Sequence, residues 1–142
     1  MVEIPSQPGA LWLEVVSRPT LEAFSQAFSA DPILEATVVA RPLRGVGAIY
    51  DFFCASRAMY ERIAFVHECR SVARICLEWE GVFQREAISG ATILTYDAGG
   101  TIERIRLFHY PYEQLNAFSA ELVRRGALTM NSLNNFNGVQ AS

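Results

Sequence analysis

Apolar positions recur along this chain with two different periods, and the change between them divides it into a helical first part and a stranded second part. The run Ala10 to Val16 (ALWLEVV) predicts a short helix that ends at Arg18-Pro19, because a residue before proline avoids helical geometry. A second helix is predicted from Pro19, with Leu21, Phe24 and Phe28 at i, i+3 and i+7 on one stripe and Asp31-Pro32 as its stop. Ile33 to Ala40 is β-branched and partly alternating, which predicts a strand that Pro42, Gly45 and Gly47 interrupt. Ala48 to Arg57 then sets Ile49, Phe52, Phe53 and Ser56 on one face of a third helix.

From Ile63 the period becomes 2, predicting strands over Ile63 to Val72, Ile75 to Phe83, Ala87 to Tyr96 and Thr101 to Tyr110, with Asp97-Ala98-Gly99-Gly100 as a hairpin turn. Pro111 suits the first turn of a last helix, Tyr112 to Arg125, with Leu115, Phe118 and Leu122 on one side and Gly126 as its stop. This order predicts an α+β fold, a curved antiparallel sheet wrapped around the N-terminal helices as a half-open cone, closed by a C-terminal helix. A cavity is expected between the concave side of the sheet and the helices.

The 142 residues, 51% apolar and 19% charged, fit one domain spanning 1–142, with a core over about 10–125 and a flexible tail at 127–142. All 12 positive charges are arginines against 15 acidic residues, a net charge of −3, so the basic excess of a nucleic-acid binder is missing. DNA, RNA and anionic membranes are not expected partners. Cys54, Cys69 and Cys76 lack the paired spacing of a zinc or redox motif and read as reduced core thiols. Met1 to Gly9 shows no leader pattern and no run is long enough to span a membrane, so a cytoplasmic protein is expected.

Alternation in Ile75 to Phe83 places Leu77 and Trp79 on the apolar face toward the cavity and Glu78 and Glu80 outside, either as a solvated face or paired with arginines such as Arg104 and Arg106 or with a second subunit. His67 alternates with Phe65 and Cys69 and is assigned to their face. Tyr60, beside Met59 at the end of the third helix, reaches the pocket mouth in this reading, and Phe24, Phe28 and Phe53 come from helices that cover the sheet. His67 and His109 have no ligand partner at short spacing, so no metal site is expected.

Three local motifs carry a resemblance. They are Arg41-Pro42-Leu43-Arg44-Gly45 leading into Ala48-Ile49-Tyr50-Asp51-Phe52-Phe53, the strand end Glu78-Trp79-Glu80-Gly81, and Tyr96-Asp97-Ala98-Gly99-Gly100-Thr101-Ile102 followed by Leu107-Phe108-His109-Tyr110-Pro111. In this order they resemble the nuclear transport factor 2-like superfamily, which includes ketosteroid isomerases, limonene epoxide hydrolase and SnoaL-like polyketide cyclases. The resemblance implies a cone with an apolar pocket, a homodimer formed through the sheet and no cofactor. It also implies positions for the chemistry. The general-base Asp of the ketosteroid isomerases falls on Arg41, which cannot take a proton at neutral pH, and their oxyanion-donor Asp falls on Thr92. The strand Glu103 to His109 supplies arginines, but the Asp, Arg, Asp constellation of the epoxide hydrolase has no counterpart, since no Asp occurs within the last three predicted strands, Ile75 to Phe83, Ala87 to Tyr96 and Thr101 to Tyr110. The acidic residue that SnoaL-like cyclases use near the end of the last strand falls on His109, whose ordinary pKa of about 6.5 suits proton transfer.

Two functions follow from this reading. In the first, the pocket binds a small apolar molecule and transforms it by isomerase, cyclase, dehydratase or hydrolase-type acid–base chemistry, with His109 catalytic and Thr92 or Tyr60 orienting a substrate oxygen. In the second, the absence of both family carboxylates makes the chain a non-catalytic ligand-binding or dimeric accessory protein.

Overall fold

A computed structural model describes residues 7–126. Its elements run α1 (Ala10–Ser17), α2 (Leu21–Ala27), β1 (Phe28–Ala36), β2 (Leu43–Arg44), α3 (Val46–Met59), β3 (Arg62–Arg70), β4 (Arg74–Phe83), β5 (Glu86–Tyr96), β6 (Ile102–Tyr110) and α4 (Tyr112–Arg124). The strands form one open six-stranded sheet in the order β2-β1-β6-β5-β4-β3. The fold is α+β, with helices at both ends of the chain packed on one side of the sheet. The tail expected at 127–142 lies outside the described residues.

The sheet differs from the antiparallel expectation. β3 to β6 form the expected antiparallel meander, but β1 pairs with β6 in parallel, Glu35 opposite Arg106 and Ala36 opposite Leu107, so the sheet is mixed. Periodicity reports which face a residue occupies and not the direction of the neighbouring strand. β1 also begins and ends earlier than the predicted Ile33–Ala40. Phe28 already has extended backbone and closes α2 through its N–H to Phe24, while residues after Ala36 turn so that Leu43 and Arg44 pair back onto Leu34 and Ile33. Phe28 is therefore a strand residue and not the last residue of a helical stripe.

The local signals otherwise act as expected. Thr20 caps α2 by accepting the Ala23 N–H at 3.0 Å, and Ile49, Phe52, Phe53 and Ser56 of α3 are all buried. Gln114 on α4 donates to the carbonyls of Phe83 and Glu86, at 2.8 and 3.1 Å, tying the helix to the β4–β5 hairpin.

One cross-strand row organises the concave face. Trp79 on β4 stands opposite Gly90 on β5, which stands opposite His109 on β6. A side-chain carbon at Gly90 would lie 2.4 Å from the Trp79 ring and 2.0 Å from the Phe108 carbonyl oxygen, so only glycine lets the indole lie across β5. Across this gap the Trp79 and His109 rings meet edge to face, with centroids 5.5 Å apart. Gly90→Ala is expected to cost about 3 kcal/mol in urea unfolding, the upper end for overpacking, because the clash includes backbone that cannot rotate away. Wild-type stability with an unchanged Trp79 environment in near-UV circular dichroism would contradict this packing.

Candidate functional site

Helices α1 and α3 lie over the inner face of β3 to β6 and leave a cavity whose walls are mostly aromatic and aliphatic. Trp12, Leu13 and Val16 come from α1, Phe52, Phe53, Ser56 and Arg57 from α3, and Ile63, Phe65, Trp79, Thr92, Leu107 and His109 from the sheet, with Tyr60 just after α3. About 60 Å³ is open to water-sized molecules, and one water needs roughly 10–15 Å³, so the space holds a few waters or a ligand of similar bulk. Exposed Arg57 marks the mouth, and no Asp or Glu lines the cavity among the described residues.

His109 is the polar centre of this space. Thr37, just past the end of β1, donates its backbone N–H to the Leu107 carbonyl at 3.0 Å. Its hydroxyl oxygen accepts the His109 N–H, two residues further along β6, at 3.1 Å. The same oxygen lies 2.7 Å from His109 Nδ1. The hydroxyl has one proton and a second lone pair: donating that proton to Nδ1 corresponds to the tautomer with hydrogen on Nε2, and accepting Nδ1–H corresponds to the other. With Thr37 as the donor, Nε2–H is the group that a molecule in the cavity can meet. Burial lowers the His109 pKa to about 4, so at neutral pH the ring is uncharged.

The ring lies beside Trp79 and Phe118, and this desolvation is what lowers its pKa below the ordinary value. Tyr60 packs on Trp79 and Phe118 at 5.6 and 5.0 Å, and burial pushes its phenol far above the ordinary range. Thr92, 2% exposed, adds a hydroxyl to the wall.

Of the residues anticipated for the pocket, Trp79, Thr92, Tyr60, Phe53 and His109 line the cavity together. Phe24, Phe28 and Leu77 are fully packed core instead: Phe24 and Phe28 stack at 5.4 Å beneath Trp12, and Leu77 is 1% exposed. His67 is on the opposite face. A bulge at Val66 separates the pairs Phe65–Trp79 and His67–Glu78, so Phe65 faces in, His67 faces solvent 3.6 Å from Glu78, and Glu68 turns inward to accept the Gly9 N–H at 2.9 Å. Arg104 and Arg106 meet Glu35 of β1 at 3.4 and 3.5 Å rather than the β4 glutamates, since parallel pairing puts Glu35 beside them. Trp12, Phe65, Gly90 and Thr37 were not anticipated. Gly90, a lone glycine inside a strand pattern, carried a readable sign of close packing, whereas nothing local marks Thr37.

No group of three or more His, Cys, Asp or Glu converges as for a metal ion among the described residues, and none of the described helices is long and apolar enough to cross a membrane.

The low pKa of His109 has a consequence for stability. The unfolded chain, with an imidazole near 6.5, binds a proton that the folded chain refuses until about pH 4. The stability that neutral His109 contributes is thus complete above about pH 6.5 and is lost as pH falls toward 4, by on the order of 3 kcal/mol in all. The unfolding free energy of wild type minus that of His109→Phe, followed by urea titration from pH 7 to 4, is expected to fall by this amount; a constant difference would contradict the burial of the ring.

No protein-family model and no curated protein matches the chain. Solved structures do. A bacterial protein with a cystatin-like fold from Silicibacter pomeroyi superposes with TM-score 0.76 at 15% identity, covering 82% of each chain. A steroid delta-isomerase from Pseudomonas aeruginosa gives 0.75 at 19% identity, covering 83% of this chain and 88% of that one. A protein with a ketosteroid isomerase-like fold from Catenulispora acidiphila, in complex with trimethylamine, gives 0.59 at 18% identity, covering 81% and 95%. With the curved sheet, the covering helices and the cavity between them, these similarities establish that the chain has the cystatin-like α+β fold of the ketosteroid isomerase-like and SnoaL-like proteins.

Proposed function

We propose that this chain binds a small, mostly apolar molecule carrying one oxygen acceptor, and does so without proton-transfer chemistry. The observation that carries this reading is the cavity's polar complement: a neutral imidazole whose Nδ1 is taken by Thr37, the Thr92 and Ser56 hydroxyls, and no carboxylate among the described lining residues. Moving a proton next to a carbonyl needs a base, and the groups here that could ionise are an imidazole with a lowered pKa whose Nδ1 is engaged by Thr37, a phenol with a raised pKa and an arginine. A steroid delta-isomerase shares the fold, but fold alone does not bring its reaction to these residues.

Size and charge narrow the ligand. The space of about 60 Å³ is far below the roughly 300–1,000 Å³ of drug-sized sites, so a short ketone, ester or similar molecule fits and a steroid skeleton does not. One fold neighbour holds trimethylamine; a protonated amine here would meet Arg57 and no acidic partner among the described lining residues, which favours an uncharged or anionic ligand. The oxygen would accept from His109 Nε2–H while Trp79, Phe53 and Tyr60 hold the carbon frame.

Binding of cyclopentanone, read by the fluorescence of Trp12 and Trp79, is expected to weaken roughly 2- to 10-fold in His109→Leu, the worth of one neutral hydrogen bond. Methylcyclopentane should bind both proteins equally. Deuterium exchange at the carbons beside the ketone, catalysed by wild type and abolished in His109→Leu, would overturn the reading in favour of proton-transfer catalysis.

A further inference from the structure

Cys69 and Cys76, expected as core thiols, are neither isolated nor in the core. They are direct partners in the β3–β4 register, one step from the pair Glu68–Leu77. Leu77 is buried in the core, and alternation therefore turns both cysteines to the outer face, where Cys69 is exposed, Cys76 is half-buried and both are free thiols. We infer that Cys69 and Cys76 form a reversible thiol–disulfide site that exchanges with small disulfides such as glutathione disulfide.

The ladder defines the spacing. Ser71 donates its N–H to the Arg74 carbonyl at 2.9 Å, which makes 71 and 74 a hydrogen-bonded pair; two residues along each strand, 69 and 76 are again a pair of this kind. Such partners have Cα atoms about 5.5 Å apart, inside the range of about 4.4–6.8 Å that disulfides span. Their Cβ atoms stand up to about 5.5 Å apart, whereas a disulfide brings them to about 3.5–4.5 Å, so the bond forms only by drawing the strands together. That strain makes the bond easy to reduce, the property of an exchangeable rather than a permanent link.

Exposure orders the steps. The Cys69 thiolate attacks one sulfur of glutathione disulfide, the S–S bond breaks and one glutathione thiolate leaves, giving a mixed disulfide at Cys69. The Cys76 thiolate then attacks the Cys69 sulfur and the second glutathione thiolate leaves. Two protein thiols lose two electrons and two protons in total, and one glutathione disulfide becomes two glutathione thiols. The bond would staple the hairpin that carries Glu68, whose carboxylate holds the Gly9 N–H at the start of α1, and α1 walls the cavity.

Native protein is incubated with glutathione disulfide, alkylated and mapped by mass spectrometry. The expected product is an intrachain Cys69–Cys76 link with Cys54 still alkylated, returned to free thiols by dithiothreitol. Cys76→Ser is expected to stop at glutathione on Cys69. A wild-type protein that also stops there, that remains unmodified, or that links Cys54 or a second copy instead overturns the inference.

Discussion

The concave face depends on a side chain that is missing. Gly90 leaves a gap in the middle strand of the row Trp79–Gly90–His109, and the indole fills it from one side while the imidazole meets it from the other. A methyl group there would collide with both the ring and a neighbouring carbonyl. Burying an aromatic of this size contributes on the order of 3–5 kcal/mol, so the row anchors the sheet's curvature to the helices above it as well as shaping the cavity floor. Tyr60 and Phe118 lean on the same two rings, which carries the arrangement from the sheet into α3 and α4.

The same packing sets the electrostatics. An imidazole packed among aromatic rings is largely desolvated, which disfavours its positive charge, and no carboxylate among the described lining residues compensates for that loss. Thr37 completes the effect by fixing Nδ1 through its hydroxyl. A neutral imidazole thus stands at the bottom of a small apolar space, and the fold alone does not decide what it does there.

Much of the architecture was legible because periodicity reports faces. The meander, the buried face of α3 formed by Ile49, Phe52, Phe53 and Ser56, and the turn at Asp97-Gly100 all follow from alternation, helical spacing and glycine placement. What escaped depends on registers and on contacts distant in sequence. The parallel seam between β1 and β6 has no local signature, and so neither does Thr37, which lies 72 residues from His109. The bulge at Val66 reversed the face of His67, since one extra residue inverts everything after it. The cysteines looked unrelated because Ser71-Val72-Ala73 carries no glycine or proline to announce a turn, and only the hairpin register brings 69 opposite 76. The candidate site was legible to the extent that it lies on strands of clear alternation, as Trp79, Thr92 and His109 do.

The state of the His109 ring is the point on which the binding account turns, and nitrogen-15 NMR of histidine-labelled protein reads it directly. At pH 7 the account predicts a neutral ring protonated on Nε2, with a second proton added only near pH 4. A ring protonated on Nδ1, leaving a basic Nε2 toward the cavity, or a midpoint at the ordinary value near 6.5, would contradict it and return His109 to the role of an acid–base catalyst.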